Sequence, residues 1–458
     1  MDRESIAVVG AGAAGLTAAY LLQAEYDVTL FEKRTRLGGH AHTVTVPDAP
    51  GPAGQASLHA PLLAPLPIDT GFIVLNDRNY PRFTRLLDDL GVEVIKAEMS
   101  FSFMCRETGF QYNGSDLNRL FSQRTNLLRP SFYRFLRDIL RFNKQAKLDL
   151  EADTVVDIRL GDYLAGFGFQ SRMVEDYILP MGAAIWSTSL TGMLDFPAAG
   201  FLRFFDNHGL LDTRNRPQWY TIRGGSQKYV QAIAERFQGR VELNADIAWI
   251  ARHESAVELQ MEDGQAHRFD HVVIATHADQ ALKLLRDPSP EEQNLLGAWE
   301  YSVNKTVLHT DASRMPSLKR SWACWNVMRP TRTACSDAAP VHLTYSMNLL
   351  QSLPSQQEYF VTLNDPAPMD PSHVIRELSY LHPLFTRASM ATQASLPSLN
   401  GCRNTYFCGS YFSWGFHEDA IKSGENVAKA FGLSLDGPVG DEAHVAPASI
   451  PSASSLTP

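Results

Sequence analysis

Three glycines near the N-terminus, in Gly10-Ala11-Gly12-Ala13-Ala14-Gly15, have the spacing with which a chain wraps a pyrophosphate. Gly10 permits a tight turn, Gly12 lets phosphate oxygens reach the backbone N–H groups of a loop that includes Ala13 and Ala14, and Gly15 lets a helix pack on a strand. Glu32 ends the next apolar strand, where a carboxylate accepts a ribose hydroxyl and repels a 2′-phosphate. This loop calls for a dinucleotide and does not by itself separate FAD from NAD. A second glycine pair follows in Lys33-Arg34-Thr35-Arg36-Leu37-Gly38-Gly39-His40. Gly38 and Gly39 offer backbone without a Cβ to a second phosphate or a ribityl chain, and Arg36 can neutralise pyrophosphate; the plain alternative is a glycine turn.

The elements that must hold these residues are legible around them. Apolar runs at 5–9 and 27–32 predict strands and the segment from Leu16 to Leu22 a helix, which together make a βαβ unit. Residues 47–67, rich in Pro, Ala and Gly, read as an inserted surface loop. From Tyr80 helical periodicity dominates, and strand patterns return at 241–243, 256–261 and 272–276, with a last strand near Asn404. The expected fold class is α/β: a discontinuous Rossmann-type dinucleotide-binding domain (1–79, 222–280 and 397–435), a mixed α+β substrate-binding domain (80–221 and 281–396), and a disordered tail over 436–458.

A net charge of -9 over 458 residues argues against a nucleic-acid partner, which usually meets a basic surface. Five widely spaced cysteines with no CxxC pair suggest neither a metal site nor a disulfide framework. The chain enters its first strand within five residues and contains no long apolar run, so a cytoplasmic protein without a membrane span is expected. One basic island interrupts the acidic background: 116–147 carries eight Arg and Lys residues against Asp116 and Asp138, interleaved with Leu and Phe. It reads either as a solvated helix face or as a peripheral contact with an anionic lipid surface or anionic substrate.

At the far end, a short apolar strand leads through Cys408-Gly409-Ser410 to Gly415-Phe416-His417-Glu418-Asp419 and a helix whose small or apolar face is Ala420, Gly424, Val427, Ala428 and Phe431. Together with the first glycine loop, Glu32, the R-x-G-G step, Ile68-Asp69-Thr70-Gly71 and Ile222-Arg223-Gly224-Gly225-Ser226, this pattern resembles the FAD-dependent amine-oxidase superfamily over nearly the full chain. That superfamily includes monoamine oxidases, phytoene desaturases and protoporphyrinogen oxidases. More closely the chain is similar to a bacterial subgroup of NAD/FAD-binding proteins with Asp-Thr-Gly-Phe-Ile-Val and Gly-Phe-His-Glu-Asp signatures, linked by association to fatty-acyl modification.

The resemblance implies FAD as cofactor. It places Thr276, Gly409, Ser410 and the helix start at Phe416 and His417 near the flavin, and the backbone of Ile247 at the adenine. Ser410 departs from the usual acidic residue, and a hydroxyl there can still bond a ribityl oxygen. Lys305 stands where amine oxidases hold a lysine near flavin N5, with an exposed lysine on an edge strand as the alternative; alternation puts Val303, Lys305, Val307 and His309 on one face. Phe416 matches one wall of an aromatic cage, and a phenylalanine where tyrosine is common weakens amine oxidation. His40 and His417 can each move a proton near neutral pH or simply pack. Trp186 lines either a cavity or the core.

The leading expectation is an FAD-dependent oxidoreductase that takes a hydride from a hydrophobic or lipid substrate, with a fatty-acyl chain foremost and the electron acceptor open. A redox-neutral isomerase, an amine oxidase and a non-catalytic flavoprotein are the alternatives, and an NAD-only dehydrogenase leaves the C-terminal motif unexplained.

Overall fold

The strand Ser5–Val9 pairs in parallel with Asp27–Glu32 on one side and His271–Ile274 on the other. Arg240–Leu243 and Thr405–Phe407 add the outer strands of a five-stranded parallel sheet ordered 240–243, 27–32, 5–9, 271–274, 405–407. Ile6, Ala7, Val8, Val272, Val273 and Ile274 are fully buried, as a parallel sheet covered on both faces requires. This computed structural model describes residues 3–47, 65–155, 157–212, 214, 216–331 and 338–438. Most of the expected inserted loop (48–64) and the end of the tail (439–458) lie outside them.

Small residues set how the helices meet this sheet. The first helix, Ala13–Leu22, follows Gly12 directly. A Cβ on Gly15 would overlap the Gly10 carbonyl oxygen, so the glycine is a requirement of the turn. The C-terminal helix His417–Ala430 crosses the first helix so closely that a Cβ on Gly424 would overlap the carbonyl oxygen of Ala14. Its Ser423 hydroxyl accepts the Gly409 N–H at 2.9 Å, which fixes the end of strand Thr405–Phe407 to the helix. Asp436, expected in the tail, is instead paired to Arg82 at 2.9 Å and Arg85 at 3.5 Å.

A second sheet of seven strands runs 374–383, 301–309, 360–363, 343–346, 325–329, 101–105, 111–113. It is antiparallel except where Trp325–Arg329 pairs in parallel with Phe101–Cys105. The helical reading from Tyr80 onward therefore holds for Pro81–Leu90 and Pro130–Glu151 but not for the strands Val94–Ala97, Phe101–Cys105 and Gln111–Asn113 between them. Their partners lie more than a hundred residues away in sequence for two of the three, and long-range pairing overrides local periodicity.

Asp69 ends strand Leu66–Asp69, which pairs with Thr43–Val46, and ties that pair to the turn at Ser226 and to Gln351 beyond strand 343–346 of the second sheet. Its side chain is fully buried and takes hydrogen bonds from the hydroxyl of Thr43 (2.6 Å), the N–H and hydroxyl of Ser226 (2.9 and 2.7 Å) and the amide of Gln351 (3.1 Å). Gln351 in turn accepts the Asp69 N–H at 2.9 Å. Gly225, at φ +88°, presses on Thr43 and leaves no room for a side chain. Burial pushes the Asp69 carboxyl up to about 6, and the donors from Thr43 and Ser226 oppose that rise, so it is ionised at neutral pH. Replacing Asp69 by asparagine turns one acceptor into a donor among donors. The expected cost is about 1–3 kcal/mol in urea unfolding, and a variant as stable as the parent would contradict this role.

Candidate functional site

The carboxyl ends of the parallel strands converge on one crevice, where open parallel sheets bind their ligands. A Cβ on Gly10, whose φ is +100°, would lie 2.9 Å from Ala275 O and 3.3 Å from the Thr276 methyl, and one on Gly409 would lie 3.5 Å from Thr276 O. Gly10, Thr276 and Gly409 are thereby brought together. Gly12 differs from its neighbours: a Cβ there would meet nothing within 4 Å, so the space over the loop is free for a ligand. Gly38 N–H donates to Ala11 O at 2.8 Å, and Gly39, at φ +57°, sits against Gly12 Cα, which stacks the second glycine pair on the first loop.

Glu32 is buried at its strand end, its two oxygens taking the N–H groups of Ala11 (2.8 Å) and Arg34 (2.9 Å). The carboxylate is thus held rigid beside the loop. An open cradle over Gly12 with a fixed acid at the next strand fits an adenine dinucleotide.

Four other residues expected at the cofactor have partners within the protein or pack against its core. Lys33 is exposed and paired with Asp246 at 2.9 Å. Arg36 spends its guanidinium on the carbonyls of Leu37, Gly39 and Ala41, stapling its own loop. Ile247 lies on a separate three-stranded antiparallel sheet and packs partly into the core. Ser410 opens a short turn in which its carbonyl accepts the Ser413 and Gly415 N–H groups.

Lys305 is corrected by register. It opposes Ser379, is 65% exposed and pairs with Glu377 at 3.6 Å, whereas its neighbour Asn304 opposes Tyr380 and is fully buried. The strand is also internal, between 374–383 and 360–363, rather than at an edge. Val303 shares the exposed face at 63%, and only farther along do Val307 and His309 become buried.

His417 is also reassigned. Its ring stacks on Phe72 at 3.9 Å, meets Phe83 edge-on, and its Nε2 bonds the Tyr229 hydroxyl at 2.7 Å. Burial depresses it to about 3, so it is a neutral packing residue that locks the helix start. Phe416 caps that helix, its N–H donating to Asp419 at 2.8 Å, and its ring stacks on Phe204 at 5.1 Å. Phe204 continues to Trp186 (4.8 Å) and Trp414 (6.2 Å), and Phe196 joins Trp186 at 4.5 Å. The indole N–H of Trp186 has no partner in this aromatic wall.

His40 belongs to a cluster that the sequence did not announce. Its ring lies 5.1 Å from Tyr380, 5.5 Å from His382 and 6.2 Å from His277, and its buried Nε2 has no partner. His277 stacks on Tyr301 at 4.4 Å. Asn304 Oδ1 accepts from Asn364 at 2.8 Å, which turns the Asn304 NH₂ toward His382 Nδ1 at 3.0 Å. His382 Nδ1 is therefore the acceptor, and the proton of the neutral ring resides on Nε2. Burial pushes His277 and His382 down to about 4, and burial, then the neighbouring His382 and His277, drives His40 well below its usual range. His277 directly follows Thr276 at a strand end, a position from which it could have been suspected; His382 and Tyr380 needed the strand pairing.

The sequence profile of the flavin containing amine oxidoreductase family matches residues 13–335. The chain is 26% identical over 355 residues, 75% of its length and 70% of the relative's, to a Mycobacterium tuberculosis protein named "Putative flavin-containing monoamine oxidase AofH". Among solved structures it is similar to a fatty acid isomerase from P. acnes described as producing CLA (TM-score 0.63, 16% identity, 93% of this chain and 98% of that one). Putrescine oxidase bound to putrescine gives a TM-score of 0.66 at 13% identity (94% and 99%). Cyclohexylamine oxidase from Brevibacterium oxydans gives 0.63 at 15% (93% and 98%). At these identities the structural likeness establishes the two-domain fold alone.

The cluster makes stability depend on pH with a definite sign. A histidine whose pKa falls on folding binds protons more readily unfolded, so stability is whole above about 6.5 and is lost as pH falls toward about 4. Asp69 and Asp419, both pushed up by burial to about 6, act oppositely in part of that window. His382→Gln keeps an acceptor for Asn304 and removes one titrating group. Urea unfolding at pH 7 and 5 is expected to show an acid loss smaller by about 1–2 kcal/mol than in the parent; equal losses would contradict the assignment.

Proposed function

We propose, for a chain that belongs to the flavin containing amine oxidoreductase family and is an FAD-dependent oxidoreductase, that its substrate is hydrophobic, with a fatty-acyl chain as the class. FAD, when bound, supplies a two-electron hydride acceptor. The protein's part is to bind and orient the donor carbon and to keep water away. The observation that carries the reading is the chemical type of these groups: Phe416 and Trp414 are partly exposed aromatic side chains set against the buried Phe204 and Trp186, and His40, His277 and His382 are neutral at pH 7.

Such surroundings favour an alkyl chain over an ion that would have to shed its water. The Nε2–H of His382 and the unpartnered Nε2 of His40 provide a donor and a second hydrogen-bonding atom for a polar group carried by the substrate. The fatty acid isomerase neighbour supports an acyl substrate, and with it a redox-neutral variant in which the hydride is returned. Amine oxidation is the second reading. It is favoured by the name of the mycobacterial relative and by aromatic faces able to hold an alkylammonium through cation–π contact.

Anaerobic titration of the holoenzyme separates these readings. Unsaturated fatty acids or their phospholipid esters are expected to bleach the flavin or to emerge isomerised, and putrescine and simple primary amines to do neither. Bleaching by amines alone would overturn the acyl assignment. In the same assay Lys305→Met is expected to stay within about twofold of the parent rate, because solvent and Glu377 already engage the lysine.

A further inference from the structure

The described residues expose ten large hydrophobic side chains, and six of them, Leu117, Leu127, Leu128, Tyr133, Leu140 and Leu148, fall within 117–148. Leu117 and Leu128 are 75% and 88% exposed, which a solvated helix face does not require. The same stretch is the basic island: eight Arg and Lys residues against two Asp from 116 to 147, a local excess of six positive charges in a chain of net charge -9.

Its geometry is ordered. Helix Pro130–Glu151 buries Phe132, Phe135, Phe142 and Ala146 on one side. On the other side Tyr133, Arg137, Leu140, Lys144 and Leu148 recur at helical spacing, so apolar and cationic side chains share one solvent-facing stripe. The preceding segment 117–128 is tied down rather than loose: Arg124 bonds the carbonyls of Asn118 and Phe121, Phe121 packs on Phe132 at 5.3 Å, and Tyr133 donates to Leu127 O at 2.9 Å. Leu117, Leu127 and Leu128 are thereby presented on a fixed support. Asp138 takes up part of the charge of Arg137 and Arg141, and Asp116 that of Arg119, whereas Arg124, Arg129, Arg134 and Lys144 have no carboxylate within ion-pair distance among the described residues.

We propose that this face docks on an anionic lipid bilayer surface, with Leu117, Leu127 and Leu128 entering the acyl boundary and the unpaired cations meeting lipid phosphates. Cations interleaved with exposed leucines match a surface that is negative at its headgroups and apolar just beneath. The inference does not depend on the substrate: helix 130–151 packs on helix Ala198–Asn207, whose Phe204 touches Phe416, so docking would bring lipid near the crevice whatever is oxidised there.

Cosedimentation of the FAD-loaded protein with vesicles tests it. Binding is expected to vesicles of two parts phosphatidylcholine to one part phosphatidylglycerol, to be absent with phosphatidylcholine alone, and to fall in high salt. Leu127→Ser/Leu128→Ser and Arg134→Glu/Lys144→Glu are each expected to lower partitioning at least about tenfold while retaining flavin absorbance and melting temperature, since all four side chains are exposed. Absence of binding to the anionic vesicles, or variants that partition like the parent, would overturn the proposal. So would self-association of the parent that Leu128→Ser abolishes, which would assign the face to a second copy of the chain.

Discussion

A single buried carboxylate, Asp69, holds the crevice in register. Its four donated hydrogen bonds come from the strand that follows Gly38-Gly39-His40, from the Arg223-Gly224-Gly225-Ser226 turn and from Gln351, which follows strands of the second sheet. An ion removed from water is costly unless its oxygens are satisfied, so this arrangement admits few alternatives. Next to it Thr70 and His42 both bond the Tyr380 hydroxyl, at 2.7 and 2.9 Å, which draws strand 374–383 toward the glycine loop. His40 faces His382 and Tyr380 because these bonds fix the strands that carry them.

The parts legible in the sequence are those set by local constraint. The glycine loop with its flanking strands could be read because the loop tolerates few residues and the strands are continuously apolar. Gly424 was visible in the small face of the last helix, and its close approach to Ala14 gives that face its reason. What escaped depends on contacts between distant segments. The strands at 94–97 and 101–105 are paired with residues near 220 and 327, which no local period encodes. Lys305 shows a subtler limit: alternation gives two faces, but which one turns inward is decided by the pairing with 374–383, and a shift of one residue exchanges them. The histidine cluster draws on residues 40, 277 and 382, three segments joined only by the fold.

The histidine cluster and the outer face of helix 130–151 differ in charge. The inner site combines neutral imidazoles with aromatic rings, and the outer face of helix 130–151 combines cations with exposed leucines. Both arrangements suit a substrate that is an alkyl chain carried by an amphiphile. The protonation pattern follows first from burial and then, at His40 and His382, from repulsion by the neighbouring imidazoles. Among the described residues no helix is long and apolar enough to cross a membrane.

The central claim is that the crevice above Gly12 receives the pyrophosphate of FAD. Gly12→Ala tests it most directly, because Gly12 has an ordinary φ of -74° and the added Cβ would meet nothing within 4 Å. Unfolding of the flavin-free protein and FAD affinity of the same preparation would be measured side by side. The expected result is an apoprotein as stable as the parent within about 0.5 kcal/mol that no longer retains FAD; undiminished FAD affinity would place the cofactor elsewhere and contradict the account.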